Sequence, residues 1–120
     1  MLKFTQDHEW LRIEQGIAVI GITEHAQQQL GDIVFVALPS VGATFARGAA
    51  VTVVESVKAA SEVYAPIGGE IVEVNQDIVA KPALINSDPM GKGWFFKMKI
   101  NDRSQLDSLL DESAYRALIT

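Results

Sequence analysis

A mainly β fold of sandwich or barrel type is what this sequence predicts, and three observations carry the prediction. Six short β-forming runs recur along the chain, glycine, proline and other turn residues separate them, and helical spacing is confined to one internal stretch and the tail. The strands are expected from Trp10 to Glu14, Ile17 to Ile22, Ile33 to Leu38, Ala50 to Glu55, Gly69 to Val74 and Trp94 to Ile100. Between the second and third, a short helix is predicted near residues 23–30. Thr23 is its N-cap, Glu24 supplies an acid in the first turn, and Gly31 stops it. The tail is also predicted to be helical, with Ser104 and Asp111 as N-caps. Leu106, Leu109, Leu110, Tyr115, Leu118 and Ile119 recur at a spacing that lays one face on the β core.

Composition narrows what such a fold does. The 120 residues, 48% of them hydrophobic and 21% charged, suit one ordinary core and leave no room for a second. A net charge of −5, with no basic run and no basic–aromatic interleaving, argues against a nucleic-acid partner. The absence of cysteine removes disulfides, thiolate nucleophiles, Cys-type zinc sites and CxxC pairs together, so any sulfur redox chemistry has to come from a cofactor. The apolar stretch from Gly16 to Ile22 is far short of a membrane span, and the N-terminus lacks a signal-peptide core. A cytoplasmic protein without membrane contact is the expectation, and a processed organellar chain would read the same way.

One internal echo stands out. Gly31-Asp32-Ile33-Val34-Phe35-Val36 returns 38 residues later as Gly69-Glu70-Ile71-Val72-Glu73-Val74, which is compatible with a duplicated strand unit. If the two halves pair about a pseudo-twofold axis, the chain between them reverses near Lys58 and exposes that side chain at a hairpin tip. The run Val51-Thr52-Val53-Val54 before Lys58 is strongly β-forming, and Ala59-Ala60-Ser61 after it is small. A rigid strand would therefore present the ammonium with little steric cover. That geometry suits a covalent carrier, whose attachment point needs reach, whereas a catalytic lysine needs a buried pocket. Glu55 and Glu62 flank Lys58 in sequence and would favour its charged form, which weakens a Schiff-base enzyme as the alternative.

Other chemistries fail on spacing. His8-Glu9-Trp10 opens like a zinc-binding HExxH, but Arg12 occupies the second histidine's place and His25 lies seventeen residues from His8, so no metal site is expected. The Gly91-Lys92-Gly93 turn is no dinucleotide fingerprint, there is no GxSxG elbow, and Ser56 stands two residues before Lys58 rather than the three of SxxK. These glycines and Pro89 are read as shaping the loop before the last strand. No catalytic residue is assigned.

An ordered set of motifs then carries a resemblance over nearly the whole chain: His8-Glu9-Trp10; Gly21-Ile22-Thr23 leading into Gln27 to Gly31; Asp32 to Val36 with Leu38-Pro39; Val54-Glu55-Ser56-Val57-Lys58-Ala59; Gly69-Glu70 with Glu73-Val74-Asn75; and Asn86 with Asp88-Pro89 and Gly93-Trp94. In these the chain resembles the H-protein family of the glycine cleavage system. The resemblance implies a barrel-sandwich hybrid related to lipoyl and biotinyl domains, with residues 1–120 forming a single lipoyl-carrier domain of two quasi-symmetric halves. It implies lipoate joined by an amide to Lys58. Val57 and Ala59 stand where biotinyl domains resemble Met-Lys-Met, and Glu55 matches an acidic position that lipoylating enzymes use.

What the resemblance further implies is a non-catalytic shuttle. It would carry an aminomethyl group from a pyridoxal-phosphate-dependent glycine decarboxylase, the P protein, to a tetrahydrofolate-dependent aminomethyltransferase, the T protein. Dihydrolipoyl dehydrogenase, the L protein, would then reoxidise it. Glu9 and Glu62 are by resemblance the carboxylates of a cleft that shelters the loaded arm. A lipoyl carrier of the same kind serving lipoyl relay or sulfur oxidation is the alternative. The chain departs from the family's pattern at Gly68, Met90, Lys92 and Gln29, which puts docking details rather than the lysine in question.

Overall fold

The computed structural model describes residues 1–120, which form two antiparallel sheets and several short helices. In chain order these are β1 (Leu2–Phe4), β2 (Glu9–Glu14), β3 (Ile17–Ile22), α1 (Glu24–Leu30), β4 (Ile33–Ala37), β5 (Thr44–Phe45), β6 (Ala50–Ser56), β7 (Ala60–Tyr64), β8 (Gly69–Val74), α2 (Gln76–Ala80), α3 (Ala83–Ser87) and β9 (Phe96–Ile100). A 3-10 turn (Arg103–Ser108) and α4 (Glu112–Ile119) follow. The larger sheet runs β1-β2-β3-β9-β8-β5 and the smaller β4-β6-β7. The predicted mainly β, barrel-sandwich-hybrid architecture holds, as two open sheets rather than a closed barrel. No helix is long and apolar enough to cross a membrane.

Local chemistry accounts for the first hairpin. Gln15 and Gly16 both have positive φ (52° and 80°), the conformation a two-residue turn needs to match strand twist, and Glu14 pairs with Ile17 across it. β2 is then buried on both sides. Leu11 and Ile13 enter the main core with Ile20, Ile71, Phe96 and Met98, whereas Trp10 joins Phe4 and Tyr115 in a second cluster. Trp10 Nε1 donates to Pro89 O (3.0 Å) and Arg12 Nη2 to Met90 O (2.8 Å), so the loop before β9 is fastened over that second face. Trp10 lies opposite Gly21, where a Cβ would stand 2.8 Å from the indole Nε1. Gly21→Ala is therefore expected to destabilise the fold by about 1–3 kcal/mol, through overpacking, as measured by urea unfolding.

The 38-residue echo has a structural counterpart. β4 and β8 each carry a register shift at the equivalent place, between Ile33 and Phe35 against β6 and between Ile71 and Glu73 against β9. In both, the residue between, Val34 or Val72, is exposed. The Thr23 cap and Gly31 stop of α1 also stand: Thr23 Oγ1 accepts from Ala26 N (3.2 Å), and Gly31 takes φ 77°.

Three expectations need correction. The first tail turn is capped by Asp102, which accepts from Ser104 N (3.0 Å), and the Ser104 hydroxyl donates to the same carboxylate oxygen (2.6 Å) instead of capping a later amide. Leu118 is exposed, since α4 touches the body mainly through Tyr115 and Ile119. The last strand begins at Phe96 rather than Trp94. There Gly93 N donates to Asp88 O (2.9 Å), and a Cβ on Gly93 would stand 2.8 Å from the Asp88 and Leu84 carbonyls, so the loop holds its turn until Trp94.

Candidate functional site

Lys58 sits in the reversal between β6 and β7, as the sequence predicts. Ser56 N donates to Ala59 O (2.8 Å), leaving Val57 and Lys58 as the two central residues. Neither has positive φ, so the turn lacks the primed geometry that tight hairpins favour. The Ser56 hydroxyl compensates. Its oxygen accepts from Lys58 N (3.3 Å) and Ala59 N (3.1 Å), and it donates to Ala59 O (3.2 Å). Val57, 69% accessible, Lys58 and Ala59 all face solvent, and Glu55 is exposed one turn position away. Lys58 forms no ion pair, so the flanking Glu55 and Glu62 do not hold it as the sequence suggests.

The tip is nonetheless fastened to the rest of the molecule. Val57 N donates to Asp32 O (3.0 Å), and a Cβ placed on Gly31 would lie 3.5 Å from Lys58 Cε, so the distal end of the side chain lies over the α1–β4 corner. Asn86 of α3 builds that corner. Its Nδ2 donates to Gln27 Oε1 and Gly31 O (2.9 Å each), and its Oδ1 accepts from Ile33 N (2.9 Å).

Beside this corner lies a cleft of about 170 Å³. It is smaller than the ~300–1,000 Å³ of common small-molecule sites and suits the end of an arm rather than a whole substrate. One wall is Asp7, His8 and Glu9. Another is Ala26, Gln29 and Leu30 of α1, and Val54 with Ser61, Glu62 and Val63 closes the third side. The structure thus brings Glu9 and Glu62 to one cleft, although they differ in character. Glu62 is exposed on the edge strand β7, while Glu9 is only 2% accessible.

Glu9 joins the two sheets. Its Oε2 accepts from Tyr64 N of β7 (2.7 Å) and its Oε1 from Thr5 Oγ1 (3.1 Å). Thr5 Oγ1 is itself set by Asp7 N (3.2 Å) and Glu9 N (3.1 Å). Each carboxyl oxygen keeps accepting capacity beyond its one donor. Burial pushes the Glu9 carboxyl up to about 7, against the opposing pull of the Tyr64 and Thr5 hydrogen bonds.

Sequence reasoning sets His8 and His25 apart, but the fold brings them together with ring centroids 4.7 Å apart and planes tilted by 42°. His8 holds φ 67°, and its Nδ1 lies 2.9 Å from the Tyr115 hydroxyl. Burial and the neighbouring His25 hold the His8 imidazolium below its ordinary range, with Asp7 acting the other way. No group of three or more His, Asp and Glu is placed to hold a metal ion. Ser56, Thr5 and Asn86 are positioning residues whose roles spacing did not reveal. Ser56 and Asn86 stand in the motifs that carry the resemblance, whereas Thr5 has no signal beyond a hydroxyl next to a turn.

The arrangement is therefore an exposed primary amine on a stiff hairpin, able to form an amide, beside a small cleft with a buried carboxyl that suits a cation. Comparisons with known proteins identify the family. The family model described as Glycine cleavage H-protein matches residues 2–120. The crystal structure of a glycine cleavage system H protein from Mycobacterium marinum is 40% identical, with a TM-score of 0.90 over 97% of this chain and 94% of that one.

Proposed function

Because the chain belongs to the glycine cleavage H-protein family, we propose that it is a non-catalytic carrier. It bears lipoate on Lys58 and shuttles an aminomethyl group from the P protein to the T protein, with the L protein restoring the disulfide. The observation that carries this reading is the exposed Lys58 at the hairpin tip, its side chain reaching over Gly31 beside the Glu9 cleft. Lipoate, when bound, supplies the disulfide that takes up cargo and electrons.

The chain's own residues do the rest. The Ser56–Ala59 turn holds the Lys58 amine clear of the sheet, and exposure of Glu55, Val57 and Ala59 lets a lipoylating enzyme read the tip. Leu30, Val54 and Val63 line the cleft with apolar surface that limits water, and Glu9 with Glu62 offers carboxylates to the cargo's ammonium. Tethering keeps the arm at high local concentration once a partner docks. An exposed lysine outside any pocket does not suit a Schiff-base enzyme.

The test is reconstitution. Protein made in a lipoate-replete host is expected to show a lipoyl-sized mass increment and to support glycine decarboxylation with cognate P, T and L proteins. A lipoylated protein that fails with those partners would sink the proposal. Ser56→Ala, which removes three turn hydrogen bonds, is expected to cost about 1 kcal/mol of local order and to slow enzymatic lipoylation several-fold while the thermal midpoint stays within a few degrees. Initial rates of lipoyl incorporation check this.

A further inference from the structure

Tyr115 lies outside the cleft, yet its hydroxyl reaches a residue of one wall and the N-cap of the helix that supplies another. It is 2.9 Å from Nδ1 of His8, on the Asp7–Glu9 wall, and 2.7 Å from Oγ1 of Thr23, the N-cap of the helix that forms the α1 wall. The Tyr115 ring has little freedom to withdraw. It is buried, stacks on Phe4 with centroids 4.6 Å apart and planes 7° apart, and follows a segment in which Leu110 and Phe4 exchange two backbone hydrogen bonds of 2.8 Å. α4, which carries Tyr115, is capped by Asp111 through Ala114 N (2.8 Å). The hydroxyl is thus delivered to a fixed point from the far end of the chain.

The bridge has two possible directions. Thr23 Oγ1 accepts from Ala26 N and keeps both its own proton and a second lone pair, so either hydroxyl can donate to the other. With Thr23 donating to the Tyr115 oxygen, the single Tyr115 proton goes to His8 Nδ1. In that direction His8 is neutral with its proton on Nε2, in the left-handed backbone region (φ 67°) that histidine enters more readily than most side chains. Burial and the neighbouring His25 favour the neutral state. Residue 8 immediately precedes Glu9 and lines the same cleft, so anchoring the His8 ring fixes the backbone of the Asp7–Glu9 wall, while Tyr64 N and Thr5 Oγ1 hold the Glu9 carboxyl itself.

We propose that Tyr115 is a positioning residue for the arm cleft, its hydroxyl spanning His8 and Thr23 to set the spacing of the two walls and the His8 tautomer. This rests on the reading of the cleft as the seat of the loaded arm. The C-terminal helix is then a staple for the cleft as well as packing for the core.

Tyr115→Phe keeps the ring stack and removes only the hydroxyl, and the test is made on intact lipoylated protein. Nitrogen-15 NMR of the histidine rings is expected to show His8 as the Nε2–H tautomer in the parent and a mixture in the variant. Lipoylation should be unchanged, and after charging by the P protein and glycine the loaded variant should decay about tenfold faster, the scale of one lost hydrogen bond. A parent His8 in the Nδ1–H form, or a tautomer indifferent to the substitution, would overturn the proposal. So would a protected parent whose variant is protected equally. A parent that decays as fast as free aminomethyl-lipoamide would instead overturn the cleft reading, and with it the role of Tyr115. Should Tyr115→Phe melt early, His8→Asn accepts positive φ readily and removes the ring that Tyr115 orders. It is expected to shorten the loaded lifetime similarly, and an undiminished lifetime there would overturn the proposal too.

Discussion

Lys58→Arg is expected to remove the lipoyl-sized mass increment completely and to reduce glycine decarboxylation in the reconstituted system to background, with no measurable change in the fold. Arginine keeps charge and length, but its guanidinium stays protonated at any accessible pH and does not form the amide that lysine forms. The residue is exposed, makes no ion pair and contributes only its backbone to the turn, so substitution should alter stability by less than about 0.5 kcal/mol. Intact mass, circular dichroism and a partner assay on one preparation separate the outcomes. A variant still carrying the increment would move the attachment point elsewhere, for instance to Lys81, Lys92 or Lys99, which are also exposed. A variant lacking the increment but still supporting decarboxylation would end the carrier proposal.

Much of this site's frame was legible in the sequence where the signal is local. Residues 17–22 and 69–74 alternate or run apolar between turn residues, and the strands Ile17–Ile22 and Gly69–Val74 have those bounds. Thr23 and Gly31 bracket α1 because cap chemistry acts within a few residues. β7 was not seen, since Ala60-Ser61-Glu62 has weak strand preference and forms only by pairing with β6. α2 and α3 escaped for a related reason. Each is five residues long and Pro82 separates them, so neither offers a full helical period.

The cleft was legible only in part. Glu9 and Glu62 were named together through the family resemblance, and both line it, but nothing in the His8-Glu9-Trp10 run signals that Glu9 is buried. That follows from Tyr64 N at the edge of the other sheet, fifty-five residues away, which needs an acceptor and finds this one. The contact of His8 with His25 is likewise a product of the β2–β3 hairpin and the start of α1, where Glu9 pairs with Ile22 and Thr23 N donates to His8 O (3.0 Å). Spacing arguments that treat such residues as distant fail wherever antiparallel pairing folds the chain back on itself.

Glu9 is where stability and function pull in opposite directions, and pH exposes the conflict. Its carboxyl is raised from 4.5 to about 7, so between those values the folded protein keeps a proton that the unfolded chain has released. Stability therefore falls as pH rises through that window and is level above it, and the span corresponds to about 3 kcal/mol. Glu9→Gln, neutral at every pH and still able to accept from Tyr64 N, is expected to flatten this slope and to unfold at higher urea than the parent above pH 7. An unchanged slope would show that burial is not penalising the charge.

The same ionised carboxylate is what a cationic cargo needs, and an ammonium in the cleft would draw Glu9 toward its charged form. Charging the carrier near neutral pH should consequently release protons as the cargo docks. In the lipoylated protein, Glu9→Gln is expected to leave lipoylation intact and to shorten the loaded lifetime roughly ten- to a hundredfold at pH 8, the scale of a charge-assisted hydrogen bond. The ratio of parent to variant lifetimes should then shrink as pH falls below 7, because the cargo-free carboxyl takes up a proton that docking must expel. A ratio that stays constant from pH 6 to 8 would detach the cargo from Glu9 and leave Glu62 as the carboxylate to test.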